Sequence, residues 1–433
     1  MRNKYLTALF GVCMLIAGMG VWKEAKAMDY SWYNKTDKNE YAECISDGEG
    51  GEDVIQNVLR TSFGKLATNV DDFYIGSDMR YNSIFIQNLG KKEVWQAALS
   101  KKKKACSNKV FYTSYLAGKN MNGYYPYSYC QAFSLDQKGR LLFSGYDTCF
   151  LMFQHKKSRQ CKDSKKYRGK MVDKNVKKCW SDEGMFAYVK DNRLYIAGEV
   201  LKQQRRCRDY ETQQSFFEGK GDQIEEVISG NGGCLVERQS LSEGPSWWGN
   251  IYVRMKDGSM WGMGNNTRKT ISDREEDYIS EFQMIIPSGV KQISANAQNA
   301  AAVKKDGSLW VWGRDIKSGT KKYSAKPEKI AENVRQAVLT NTNSGSLTLP
   351  KSVILYVKRD GKAYGRGSNY NFMLSNRYKS RWQGAPVFLM ENVKKIGGCT
   401  GISVILTNKN ELYWSGYRSA ILDDEEWFDK KTK

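Results

Sequence analysis

One histidine, His155, stands among 433 residues. That scarcity weighs against a Ser-His-Asp triad and rules out a His-rich metal site. No Cys-x-x-Cys pair occurs, so a thiolate metal cluster lacks its usual spacing. HExxH, GxSxG and GxxxxGK[ST] are also absent, which removes the common signatures of metalloproteases, serine hydrolases and P-loop nucleotide enzymes. Beyond residue 27 no apolar run is long enough to span a bilayer. The sequence therefore predicts no catalytic residue, no metal, no cofactor, nucleotide cofactors included, and no membrane span in the mature chain. What remains is 40% hydrophobic and 12% aromatic residues, ample for a packed core and incompatible with disorder.

The first 27 residues read as a signal peptide. Arg2 and Lys4 precede a 17-residue apolar run over 6–22, and Ala25-Lys26-Ala27 offers a small-x-small cleavage site. Cleavage near Ala27 predicts a secreted, cell-surface or periplasmic protein; the alternative is an uncleaved anchor. Nine cysteines follow, eight of them before residue 235. In an oxidising compartment they read as disulfides stapling loops. Sequence neighbours suggest Cys130 with Cys149, Cys161 with Cys179, and Cys207 with Cys234, although spacing alone leaves connectivity open. The count is odd, so one thiol is left over or pairs between chains.

The chain repeats itself. Residues 300–313 read Ala-Ala-Ala-Val-Lys-Lys-Asp-Gly-Ser-Leu-Trp-Val-Trp-Gly, two β-prone runs about Asp306-Gly307. Asp-Gly suits a two-residue type I′ turn. Such a turn would set Val303 opposite Trp310 and Ala301 opposite Trp312, small against large on one face. Equivalent hairpins are predicted at 83–97, 132–145, 186–198, 251–264, 354–367 and 403–416. Seven hairpins, ending 48 to 66 residues apart and each leaving room for two further strands, predict a seven-bladed β-propeller. One domain would then cover residues 28–433. The 17 residues after Gly416 are too few for the two further strands that every earlier blade receives, so part of 28–82 is predicted to pair with the last blade and cover its edge.

These units resemble the repeats of the regulator of chromosome condensation family, in an exported, bacterial-type form. The resemblance rests on Pro…Val-Lys-x-Ile followed by Lys-x-Asp-Gly-x-Leu/Met-Trp…Gly. It is good over 247–420 and degenerate but in phase over 83–246. The family's Gly-Gln-Leu-Gly after the hairpin is only echoed, at residues 367–375, and Asn299 stands where the family often has His. The resemblance implies a seven-bladed propeller with a non-enzymatic, protein-binding surface, and no loop carries over a particular partner.

Charge is unevenly placed. Residues 91–210 hold 27 Lys and Arg against 10 Asp and Glu, a net +17 in a chain of formal charge +21. Runs at Lys101, Lys102, Lys103 and Lys104, and at Arg205, Arg206 and Arg208, suit either a solubilising surface or adhesion to something anionic. Lys165-Lys166 and Lys177-Lys178 are expected on loops or outer strands. Tyr124, Tyr125, Tyr127, Trp247 and Trp248 are candidate binding anchors near loops. The predicted ligand is thus an extracellular protein or an anionic surface polymer. The competing class is a carbohydrate-active enzyme, which needs only two carboxylates; Asp182-Glu183 and residues 423–426 are acidic clusters.

Overall fold

The computed structural model describes residues 63–77, 82–88, 93–99, 110–117, 121–128, 131–147, 165–182, 185–197, 211–230, 249–296, 298–320, 322–341, 352–369, 372–375, 378, 380–399 and 401–416. They form seven antiparallel four-stranded sheets. Blade one comprises β2 (Val70–Ser77), β3 (Asn82–Asn88), β4 (Glu93–Leu99) and β5 (Val110–Ala117). Blade two comprises β6 (Met121–Ser128), β7 (Gln131–Asp136), β8 (Leu141–Asp147) and β9 (Lys165–Asp173). Blade three has β10 (Val176–Asp182), β11 (Met185–Lys190), β12 (Arg193–Ala197) and β13 (Glu211–Gln214). Blade four has β14 (Ile224–Ser229), β15 (Asn250–Met255), β16 (Met260–Asn265) and β17 (Tyr278–Ile286). Blade five runs through β18 (Val290–Ala295), β19 (Asn299–Lys304), β20 (Leu309–Arg314) and β21 (Tyr323–Ala331). Blade six runs through β22 (Val334–Asn341), β23 (Ser352–Lys358), β24 (Ala363–Ser368) and β25 (Trp382–Met390). The last sheet holds β26 (Val393–Cys399), β27 (Ile402–Thr407) and β28 (Leu412–Gly416), and its fourth strand is β1 (Gly64–Ala67).

β1 pairs with β28 through Gly64–Trp414, Lys65–Tyr413 and Ala67–Leu412. The innermost strands β2, β6, β10, β14, β18, β22 and β26 touch in that order, and β26 touches β2. Apolar cores lie between neighbouring sheets: Ile251 and Val253 pack with Ala187, Val189 and Phe217, and Ala301 and Val311 with Ile354 and Tyr356. Both faces of the middle strands are therefore buried, which is why β19, β23 and β27 read as continuous apolar runs.

The register of the Asp-Gly hairpin differs from the expected one. Ala302 faces Trp310, Ala300 faces Trp312, and Val303 faces Leu309, one residue away from a two-residue turn. Only Gly307 takes a left-handed φ (89°), and Asp306 does not. Lys304 N–H donates to Ser308 O and Gly307 N–H to Lys304 O, the pattern of a three-residue loop. The Asp306 carboxylate explains the choice, because its Oδ1 accepts the Ser308 N–H at 2.8 Å and holds Asp306 right-handed. Three consecutive alanines hide the slip, since either register sets Ala against Trp. A type I′ turn occurs instead at Asp191-Asn192 (φ 49° and 57°).

Five of the hairpin turns are also the link to the next blade. The carbonyls of Gly139, Gly258, Gly307 and Gly361 accept N–H bonds from Val176, Val290, Val334 and Val393, the first residues of the following innermost strands. Asn410, left-handed at φ 58°, does the same for Val70, joining the last blade to the first. Two residues after the closing glycines, Asn266, Asp315 and Asn369 accept backbone N–H groups of their own loops, so Gly-x-Asx organises these outer connections. Asn299 sits fully buried and donates to Trp312 O and Arg314 O, strapping β19 to β20.

Candidate functional site

The predicted binding residues are not gathered within the described part. Lys101, Lys102, Lys103, Lys104, Arg205, Arg206, Arg208, Trp247 and Trp248 lie outside the described residues. So do Cys130, Cys149, Cys161, Cys207, Cys234, Glu183 and residues 423–426. Cys179 is buried on β10. Tyr124, Tyr125 and Tyr127 belong to β6, an innermost strand, rather than to a loop. Lys165 and Lys166 fall on the outer strand β9, as expected, whereas Lys177 and Lys178 fall on the innermost strand β10.

The described side chains do converge on the innermost strands. Every one of these strands carries a register irregularity at its start, between Val70 and Asp72 in β2 and between Val393 and Lys395 in β26 for example. A bulge places two residues opposite one and re-aims the side chain that follows. In β10, β14, β18, β22 and β26 the third residue then reaches the neighbouring blade. Gln292 Nε2 donates to Ala337 O and Gln292 Oε1 accepts the Ala337 N–H, both at 3.0 Å. Gln336 repeats this with Ile396 at 2.9 and 3.0 Å. Lys178 Nζ donates to Ile224 O at 2.6 Å, and Glu226 accepts the Ile293 N–H at 3.3 Å. Lys395 carries the belt across the junction of the last blade with the first, donating to Asp72 Oδ1 at 2.7 Å and Phe73 O at 2.8 Å.

This belt bears on the enzyme alternative. Its carboxylates, Asp72 and Glu226, accept from Lys395 and Arg254 respectively. A general acid in glycoside hydrolysis needs a carboxyl kept protonated. Among the described residues, every carboxylate with a clear shift is pushed down, never up. The Ser308 hydroxyl and N–H lower Asp306, and the Ser259 N–H and hydroxyl lower Asp257. Lys65 and the Tyr413 hydroxyl lower Glu411. No group of three or more potential metal ligands, and no helix long and apolar enough to cross a membrane, occurs among the described residues.

The depressed carboxylates fix a pH dependence. A group whose pKa is lower when folded contributes stability above its unfolded value and loses it as pH falls through the folded one. The urea midpoint is expected to hold between pH 7 and 5 and to drop below about pH 4. Denaturation at pH 7, 5 and 3.5 checks this. A midpoint that rises on acidification would contradict it.

The arrangement matches known structures. Human WBSCR16 superposes with a TM-score of 0.54 at 13% identity, over 80% of this chain and 87% of that one. Prp20p of Saccharomyces cerevisiae, characterised for its binding to Gsp1p and histones, gives 0.53 at 13% identity over 82% and 84%. Yeast RCC1 (Prp20) in complex with Kap60 gives 0.52 at 13% identity over 90% and 87%. The fold is that of the RCC1-type β-propellers. No protein-family model and no curated protein matches the sequence itself. The likeness carries the architecture.

One signal that reasoning on the sequence missed is the blade link. Asn69-Val70, Asn175-Val176, Asn333-Val334 and Asn392-Val393 repeat at four of the blade starts, with Gly289-Val290 at a fifth. The first residue of each pair is left-handed, with φ between 56° and 80°. Asn and Gly are the residues that adopt this conformation at least cost.

Proposed function

We propose that the chain is an exported, non-enzymatic propeller scaffold that binds an extracellular protein or an anionic surface polymer through the basic loops of its first three blades. The observation that carries the reading is the net +17 over residues 91–210. Consecutive blades are neighbours, so charge concentrated in sequence is concentrated in space. Lys101, Lys102, Lys103, Lys104, Arg205, Arg206 and Arg208 supply mobile point charges and guanidinium forks, and Tyr124, Tyr125, Tyr127, Trp247 and Trp248 supply rigid aromatic area. Protein binding by Prp20p supports a scaffold role. The signal-like segment over residues 1–27 and the cysteines clustered before residue 235 support export with disulfide formation.

Retention of the mature protein on a polyanionic matrix tests this. Affinity is expected to fall steeply with salt, by about 10³–10⁵ over a four-fold increase if six to ten charges are neutralised. Replacing the four lysines and three arginines with Gln should weaken retention and leave the thermal transition unchanged. Retention that ignores salt, or survives the replacement, would reduce the charge to a solubilising surface.

A further inference from the structure

Two buried residues on the face opposite the hairpin turns are arginines. Arg314 and Arg366 are each only 8% exposed, and neither has a carboxylate within ion-pair distance among the described residues. Arg314 is nonetheless satisfied. Its Nη1 donates to Gln298 Oε1 at 2.8 Å, Nη2 to Gly319 O at 2.7 Å and Nε to Thr320 O at 3.2 Å.

Arg366 is different. Its Nε is buried without any hydrogen-bond partner, alone among the buried cationic atoms of the described residues. The terminal nitrogens are not among the buried unpartnered atoms, so the small remaining exposure of the residue reaches them. Arg366 lies on β24 opposite Ile354, one residue before the closing Gly367, and faces blade five. The equivalent residue in blade five, Trp312, donates its indole N–H to Thr270 O of the preceding blade. Arg366 has no such acceptor. Around it are Ile354, fully buried, and Tyr356, 2% exposed, whose hydroxyl burial holds at a pKa of about 12. The Asp315 carboxylate is near enough to act on it electrostatically, but its oxygens are occupied by the N–H groups of Lys317 and Ser318 and by the Ser318 hydroxyl.

A guanidinium whose Nε is held this deep without a partner is costly, because removal of that N–H from water is not repaid by any hydrogen bond. Well-packed apolar side chains of similar volume usually do better in such places. We propose that Arg366 anchors a recessed receptor for a single carboxylate, at the junction of blades five and six on the face opposite the hairpin turns. A planar carboxylate fits the guanidinium fork in two parallel bonds. The neighbouring Asp315 disfavours a dianion. The carboxylate comes from a free organic acid or from an acidic side chain of a partner protein. This site is separate from the basic loops, and its failure leaves the reading of those loops untouched.

The mature chain, Arg366→Met and Arg366→Gln are compared by scanning calorimetry at matched ionic strength. The probes are acetate, the blocked tripeptide acetyl-Gly-Glu-Gly-amide and inorganic phosphate. Without added carboxylate, Arg366→Met is expected to raise Tm by about 2 °C or more, since an unpaired buried charge is removed. Acetate or the tripeptide should raise the Tm of the unsubstituted protein in a saturable way, and both substitutions should abolish that response. A response at lower concentration for the tripeptide points to a protein side chain, and one for acetate alone to a free acid. A lower Tm for Arg366→Met, no carboxylate response, a response to phosphate alone, or one that survives in either variant would overturn the proposal.

Discussion

Gly264→Ala is expected to destabilise the protein by about 3–5 kcal/mol, the sum of backbone strain and an unrelieved clash. Gly264 closes the hairpin of blade four with φ at 116°, and a Cβ there would lie 2.2 Å from the carbonyl oxygen of Gly249. The obstacle is backbone on the paired strand, so no rotamer change removes it. The same geometry recurs at Gly313, Gly367 and Gly416, whose added Cβ atoms would meet the carbonyls of Gln298, Ser352 and Gly401 at 2.2–2.4 Å. Gly289→Ala is the control: φ is also positive, at 80°, but nothing stands within 4 Å of the added atom. It should cost about 1 kcal/mol. Urea denaturation of the two variants separates clash from φ. Equal losses would show that the close approach of Gly249 O does not hold in solution.

A chain shortened to begin at Thr68 is expected to lose more, at least 4 kcal/mol, and to associate. Two things go together. Phe63, 5% exposed, packs with Val353, Leu374 and Ile405, and loss of a buried Phe costs about 3–5 kcal/mol. Among the described residues β1 is the only partner of the outer side of β28, so its removal also exposes an unpaired edge. The Lys65–Glu411 contact at 2.6 Å is lost as well, but it is solvent-facing and adds little. Light scattering after size exclusion and denaturant melts read both effects. A monomeric product with an unchanged midpoint would mean that β1 is dispensable.

The hairpins were legible because Asp-Gly and Lys-Asn turns sit between short apolar runs, and local chemistry alone decides such turns. The edge cover by β1 was legible because residues 28–82 hold no repeat hairpin of their own, and β1 does pair with β28. The register was not. Asp306 can serve two turn types, and Ala300, Ala301 and Ala302 accept either alignment, so the distinction lay in which N–H the Asp carboxylate captures. The bulges at the start of the innermost strands were equally hidden, because Val-Lys-Gln-Ile in β18 and Val-Arg-Gln-Ala in β22 carry no Gly or Pro to mark them. They follow from contact with the next blade, which no single repeat contains. Arg366 was invisible for a related reason: in the sequence it is one more cation of many, and only its neighbours make it unusual.

The belt of third residues has a consequence for how the assembly yields. At the junctions of blades five with six and six with seven, glutamine amides clamp backbone to backbone without net charge. Between the last blade and the first, the corresponding clamp is an ammonium on a flexible stem, Lys395, bonded to Asp72. Salt weakens the second kind of clasp and leaves the first nearly untouched. The compliance of the molecule is therefore uneven around its circumference, with a seam where the first and last strands meet. A rupture there parts β2 from β26, and re-engagement is an intramolecular step whose local concentration is set by the intact sheets on both sides. Opening between blades five and six or six and seven would have to strip amide pairs from strands held at both ends.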